Sequence, residues 1–162
     1  MTEEEKTEKS KKSKKKGCLI IILIFFSFFV IIGVVGINMS QSFMLNAQIS
    51  ATETNHENSK SYIAASIKKC SSGSTYLTIG TTSVKCNSDI PEFVNRFSDY
   101  FNSILDNPYK ADEQAFEFKA GNPTLGSSNI YYSGNNITII TNTGDEDGGD
   151  VYLNDTIVRD YE

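Results

Sequence analysis

The chain has 162 residues and a net charge of −5 from 15 Lys and Arg against 20 Asp and Glu, and its length leaves room for one small domain beyond an N-terminal tail and an apolar run. Seven Lys face four Glu in residues 1–17, so that tail carries +3 and the remainder −8. An acidic body with scattered lysines lacks the cation cluster whose counterion release drives nucleic-acid binding, which argues against a direct nucleic-acid partner.

In chain order, Met1–Gly17 is a Glu/Lys/Ser/Thr tract with no apolar residue after Met1. It cannot bury surface, so it is expected to be a disordered basic tail or leader whose lysines lie against anionic lipid headgroups. Cys18–Ile37 carries no charge and a single hydroxyl, Ser27. At about 1.5 Å per residue such a helix reaches roughly 30 Å, the thickness of a bilayer's hydrocarbon core, and a single spanning helix is expected. The cluster Lys11-Lys12-Ser13-Lys14-Lys15-Lys16 precedes it and nothing comparable follows between Asn38 and Lys60. Positive-inside asymmetry then leaves the N-terminus in the cytoplasm and residues 38–162 outside it, at an inner, cytoplasmic membrane. A cleaved secretory signal is the rival reading, but the run exceeds a usual h-region and no small-x-small site follows Ile37. Gly33 and Gly36 would let helices approach closely, though without a Gly-x-x-x-Gly pair. Cys18 falls at the cytoplasmic lip, as an acylation site or an apolar filler.

Asn38–Lys69 contains no Pro and no Gly. Phe43, Met44, Ala47 and Ala51, then Ile63, Ile67 and Cys70, fit helical spacing, so the helix is expected to continue through residues 38–70 with the polar stretch Thr52–Ser61 facing water. Ser71-Ser72-Gly73-Ser74 stops it. Ser74–Lys85 reads as a small hairpin about Gly80. Asp89, Pro91 and Glu92 open a second helix with the stripe Phe93, Val94, Phe97, Tyr100, Phe101, Ile104 and Leu105, ended by Asn107-Pro108. The period then changes to two: Ala115–Lys119, Asn129–Ser133, Asn136–Asn142 and Val151–Val158 read as strands, with Gly134-Asn135 as a tight turn. Residues 71–162 thus form a small head. The expected fold class is α+β, a long N-terminal helix with a membrane-embedded first half packed on a small antiparallel β-sheet.

Cys70 and Cys86 fall in the exported part, where thiols oxidise, and a disulfide between them is expected; a bridge closing a loop of this length is worth about 3 kcal/mol in the chain-entropy model. Little else carries chemistry. The sole histidine, His56, has Glu53 and Glu57 as helical neighbours and reads as part of a solvated helix face. No serine sits in a nucleophile elbow and no glycine pattern cradles a phosphate, so no catalytic residue is assigned and the chain is read as non-enzymatic. Asp145, Asp147 and Asp150, with Gly148 and Gly149 between them, alternate as Ca²⁺ ligands do but lack the full EF-hand spacing. The plain alternative is a soluble hairpin loop with no cofactor.

The order of parts, from basic tail through apolar helix, polar helix and cysteine loop to a small sheet, resembles type IV pilins and pseudopilins. Locally the likeness is carried by Lys15-Lys16-Gly17 before the apolar run, similar to a prepilin leader, by Asn107-Pro108-Tyr109, and by the segment from Ser133 to Asp145. The resemblance implies cleavage between Gly17 and Cys18 with methylation of the new terminus, and assembly with other pilin-like subunits and their machinery into a pilus or secretion-type filament. It leaves open whether such a filament serves adhesion, motility, DNA uptake or secretion. Where the family has Phe at the first and Glu at the fifth mature position this chain has Cys18 and Ile22. That departure implies a minor or initiating subunit, or an uncleaved relative. The alternative is a permanently anchored accessory or binding domain that does not polymerise.

Overall fold

Seven elements follow the first helix in a computed structural model that describes Ser27 and residues 41–161. Helix α1 is described over residues 41–71. Strands β1 (Tyr76–Ile79) and β2 (Thr82–Lys85) form an antiparallel hairpin, and α2 (Ile90–Ile104) follows. Strands β3 (Phe116–Phe118), β4 (Ser128–Ser133), β5 (Asn136–Asn142) and β6 (Tyr152–Val158) then build a four-stranded sheet in sequential order.

Two features of the expected fold class are corrected. Among the described residues no helix is long and apolar enough to cross a membrane. Helix α1 carries Glu53, Glu57, Lys60, Lys68 and Lys69 and packs one face into the head, so it is an amphipathic domain helix over its described length. The predicted tail and spanning run, with Gly17, Cys18, Ile22, Gly33 and Gly36, fall outside the described residues apart from Ser27. The second correction concerns the sheet, which is mixed: β3 pairs parallel to β4, with Phe116 opposite Ser128 and Phe118 opposite Ile130, while β4–β5 and β5–β6 are antiparallel. The cause lies in residues 119–127. Asn129 Nδ2 donates to Gly121 O at 2.9 Å and Asn142 Nδ2 to Pro123 O at 3.4 Å, so this link runs back beside the sheet before β4 begins in the direction of β3.

The expected water-facing middle of α1 is corrected on one face, while Glu53, Thr54, Glu57, Asn58 and Ser61 are exposed as expected. Thr52, His56 and Ser59 are buried and continue the same helical face as Ile63, Ser66, Ile67 and Cys70. Polar side chains are tolerated in such a place when the opposite surface supplies hydrogen-bond partners, and here the sheet does so for His56. By contrast α2 buries most of its predicted stripe, although Ile104 at its end is 56 % exposed. Pro91 lies in its first turn, where a missing N–H costs nothing, and Phe93, Val94, Phe97 and Phe101 are buried. Its Asn102 side chain donates to Phe116 O at 2.6 Å and accepts from Phe116 N at 2.8 Å, which seats the start of β3 on the helix. Cys70 and Cys86 are joined in a disulfide with Cα atoms 5.4 Å apart, bracketing the β1–β2 hairpin.

Asn107-Pro108-Tyr109 has a mechanical role. Asn107 is buried, its Oδ1 accepts from the backbone N–H of Tyr109 at 2.9 Å and of Lys110 at 3.2 Å, and its Nδ2 donates to Leu125 O at 3.1 Å. Tyr109 reaches Thr143 O with its hydroxyl at 2.7 Å. Gly126 sits against this knot with φ +79°, where a Cβ would collide with Asn107 and with Tyr109. Gly126→Ala is therefore expected to lower stability by about 2 kcal/mol or more, combining left-handed backbone strain with the clash. An unchanged urea midpoint would contradict this packing.

Candidate functional site

The most organised polar cluster lies where α1 crosses the inner face of the sheet. His56 comes from the buried stripe of α1, and its ring is fully enclosed at 0 % exposure. Its Nδ1 lies 2.7 Å from Thr141 Oγ1 on β5, and Thr141 Oγ1 lies 2.6 Å from Ser128 Oγ on β4. Thr141 and Ser128 are register partners, so their side chains stand side by side on the helix-facing surface. On the other side of the ring, His56 Nε2 lies 2.9 Å from Asp155 Oδ2 on β6. Lys60, one turn further along α1, donates to Asp155 Oδ2 at 3.2 Å and to the Glu57 carboxylate at 2.8 Å.

With the ring proton on Nε2 each of these hydrogen bonds has a donor: His56 donates to Asp155 and Nδ1 accepts from Thr141, whose oxygen accepts from Ser128. Moving that proton to Nδ1 reverses the hydroxyl chain but leaves the Nε2 lone pair facing Asp155 Oδ2. Asp155's carboxyl is held below its ordinary value, chiefly by the His56 hydrogen bond and further by Lys60, against an opposing push from burial. Lys60 is raised above its ordinary value, the Glu57 hydrogen bond being the main cause.

A carboxyl whose pKa is lower folded than unfolded stabilises the fold fully above the unfolded value, near 3.8, and loses that contribution as pH falls through the lower folded value. In chelator-treated protein, wild type is expected to be more stable than Asp155→Asn at pH 6, and the gap is expected to close progressively below about pH 4. A gap in urea midpoints that persists unchanged to pH 2 would refute the assignment.

In order of parts this resembles a hydroxyl–imidazole–carboxylate relay of the kind that activates nucleophiles. Burial decides otherwise. Thr141 is 0 % exposed and Ser128 is likewise buried, so no substrate carbonyl can approach either hydroxyl. What the cluster does is clasp α1 to β5 and β6, with β4 joined to it through Ser128 and Thr141. Two surface depressions among the described residues lie away from the cluster, one lined by Cys70, Gly73 and Tyr161 and one by Asp89, Asn135 and Arg159.

No family model, curated protein or solved structure matches this chain. The likeness to type IV pilins accordingly rests on the order and local motifs of the sequence.

The remaining sequence-derived candidates are placed as follows. Cys70 and Cys86 are brought together. Gly17, Cys18, Gly33 and Gly36 lie outside the described residues. Asp145, Asp147 and Asp150 are not gathered into one ligand set. Asp145 Oδ1 accepts from the backbone N–H of Asp147 at 2.9 Å and of Gly149 at 2.6 Å, and Asp150 Oδ1 accepts from Asn142 Nδ2 at 2.7 Å. These carboxylates close the β5–β6 loop.

Sequence reasoning missed two residues. His56 reads as solvated from its polar neighbours, although stepping back from Ile63 by the spacing of four, three and four reaches Ser59, His56 and Thr52. Arg159 had no sequence signal. It is buried just beyond β6, donates to Ser88 O at 2.7 Å and to Cys86 O at 2.8 Å, and lies 5.2 Å from the Phe93 ring centroid and 4.7 Å from that of Tyr161. It ties the end of β6 to the disulfide loop and the start of α2, joining charge-assisted hydrogen bonds to cation–π contacts.

Proposed function

We propose that this chain is a non-enzymatic structural subunit of the type IV pilin or pseudopilin kind, tethered at the cytoplasmic membrane through its uncharged N-terminal run. Its disulfide-stapled head then works outside the cytosol, where it joins other such subunits and their assembly machinery. The observation that carries this reading is the polarity of α1. From Thr52 to Cys70 one face of the helix is buried in the head, whereas Phe43 and Met44 near its start are 78 % and 59 % exposed and leave apolar surface for a partner. The Cys70–Cys86 bridge supports an oxidising compartment, and the burial of Thr141 and Ser128 supports a role without catalysis.

Ile22, at the position where the family carries a carboxylate, favours a second reading in which the same head is a permanently anchored accessory or binding domain. Intact mass of the protein extracted from membranes separates the two. Loss of residues 1–17 with a methylated new terminus is the expected result for the subunit, and a full-length chain transfers the assignment to the accessory domain. Recovery of the full chain in the soluble fraction would remove both.

A further inference from the structure

We propose that His56, Glu57 and Asp155 form a binding site for a divalent transition-metal ion, Zn²⁺ in preference to Ca²⁺ or Mg²⁺, with Lys60 as the resident cation that the metal replaces. One ligand atom from each of the three residues lies within 4.8 Å of the others, the one such group of three among the described residues. Lys60 Nζ already occupies the space a cation would take, 2.8 Å from the Glu57 carboxylate and 3.2 Å from Asp155 Oδ2. The neutral imidazole and two carboxylates carry −2 together, so a divalent ion neutralises them where one ammonium leaves −1.

The donor set decides the class of ion. One imidazole nitrogen with two carboxylate oxygens suits the borderline ions, whereas Ca²⁺ and Mg²⁺ prefer oxygen alone. Three protein ligands leave a fourth tetrahedral position for water.

The surroundings orient the ligands. Without metal, Nε2–H is the donor to Asp155 Oδ2 at 2.9 Å; the ion takes the place of that proton, and with the ring proton on Nδ1, donated to Thr141 Oγ1 at 2.7 Å, the Nε2 lone pair faces it. His56 and Glu57 share one turn of α1 while Asp155 comes from β6, so the ion would bridge helix and sheet. Entry is open because Glu57 and Asp155 side chains are 58 % and 40 % exposed, and Lys60, on a flexible stem, can leave toward solvent. The sequence hid this site because the third ligand lies 99 positions downstream of His56.

The test uses the full-length protein in detergent micelles, stripped with EDTA and labelled with ¹⁵N-histidine. There is only one histidine, so its ring resonances report on this site alone. Zn²⁺ to about 100 µM is expected to shift those resonances saturably and raise the melting midpoint, with about 1 mM Ca²⁺ or Mg²⁺ doing neither. Glu57→Gln is expected to weaken Zn²⁺ binding about tenfold or more, and Lys60→Gln to strengthen it by a similar factor. Both substitutions lie on the outward side of the cluster and leave the His56–Thr141 contact in place. Histidine resonances unmoved by Zn²⁺ in wild type and in Lys60→Gln would overturn the proposal. So would Zn²⁺ binding that neither substitution changes, or an equal response to Ca²⁺.

Discussion

Replacing Phe97 by alanine is expected to lower the unfolding free energy by about 3–5 kcal/mol, the usual range for truncating a buried aromatic ring. Phe97 is 0 % exposed and stands at the centre of the aromatic cluster that joins the two helices. Its ring lies 6.2 Å from Phe101 in a near-parallel arrangement at 14°, 6.2 Å from Tyr62 edge-on, and 6.3 Å from Phe93. Removing it strips contacts from both helices and leaves a cavity that its rigid neighbours cannot close. Urea unfolding should show a midpoint shift at unchanged slope. A loss under about 1 kcal/mol would mean that the α1–α2 contact is not the core of the head.

The second large effect belongs to the disulfide. Changing both Cys70 and Cys86 to serine is expected to cost about 3 kcal/mol, from loop entropy returned to the unfolded chain. The bridge ties the end of α1 to the residue after β2, and Cys86 is held further by Arg159 through its carbonyl and by Thr75 O, which accepts from its N–H at 2.9 Å. The hairpin between them has only four residues in each strand, too little to persist without the head and the bridge. A reducing agent should therefore lower the melting midpoint of wild type and leave the double serine variant unaffected. If both thiols proved freely alkylatable in native protein, the oxidising-compartment argument would fall with the bridge.

These two expectations concern elements that were legible in different degrees. The stripe from Phe93 to Phe101 is readable because it repeats every three to four residues within one helix, and local periodicity marks the buried face; Ile104, at the helix's end, continues the repeat but is exposed. The Gly134-Asn135 turn was readable for a similar reason. It closes a two-residue hairpin between Ser133 and Asn136, with Gly134 at φ +57°. The polar stretch of α1 misled because hydrophobicity is a property of one residue, whereas the burial of His56 depends on Thr141 and Asp155, 85 and 99 positions away.

What the sequence determined by itself is local: the amphipathic helix, the places of the strands, the tight turn, and a pair of cysteines far enough apart in the chain to close a loop between them. Tertiary structure alone decided which polar residues are inside. It turned the β3–β4 pairing parallel, gathered His56, Glu57, Lys60 and Asp155 at one helix–sheet contact, and buried Arg159 on the carbonyls of Cys86 and Ser88. The physical reason is that burying a polar group is unfavourable or tolerated according to the partner it meets, and that partner is supplied by chain distant in sequence.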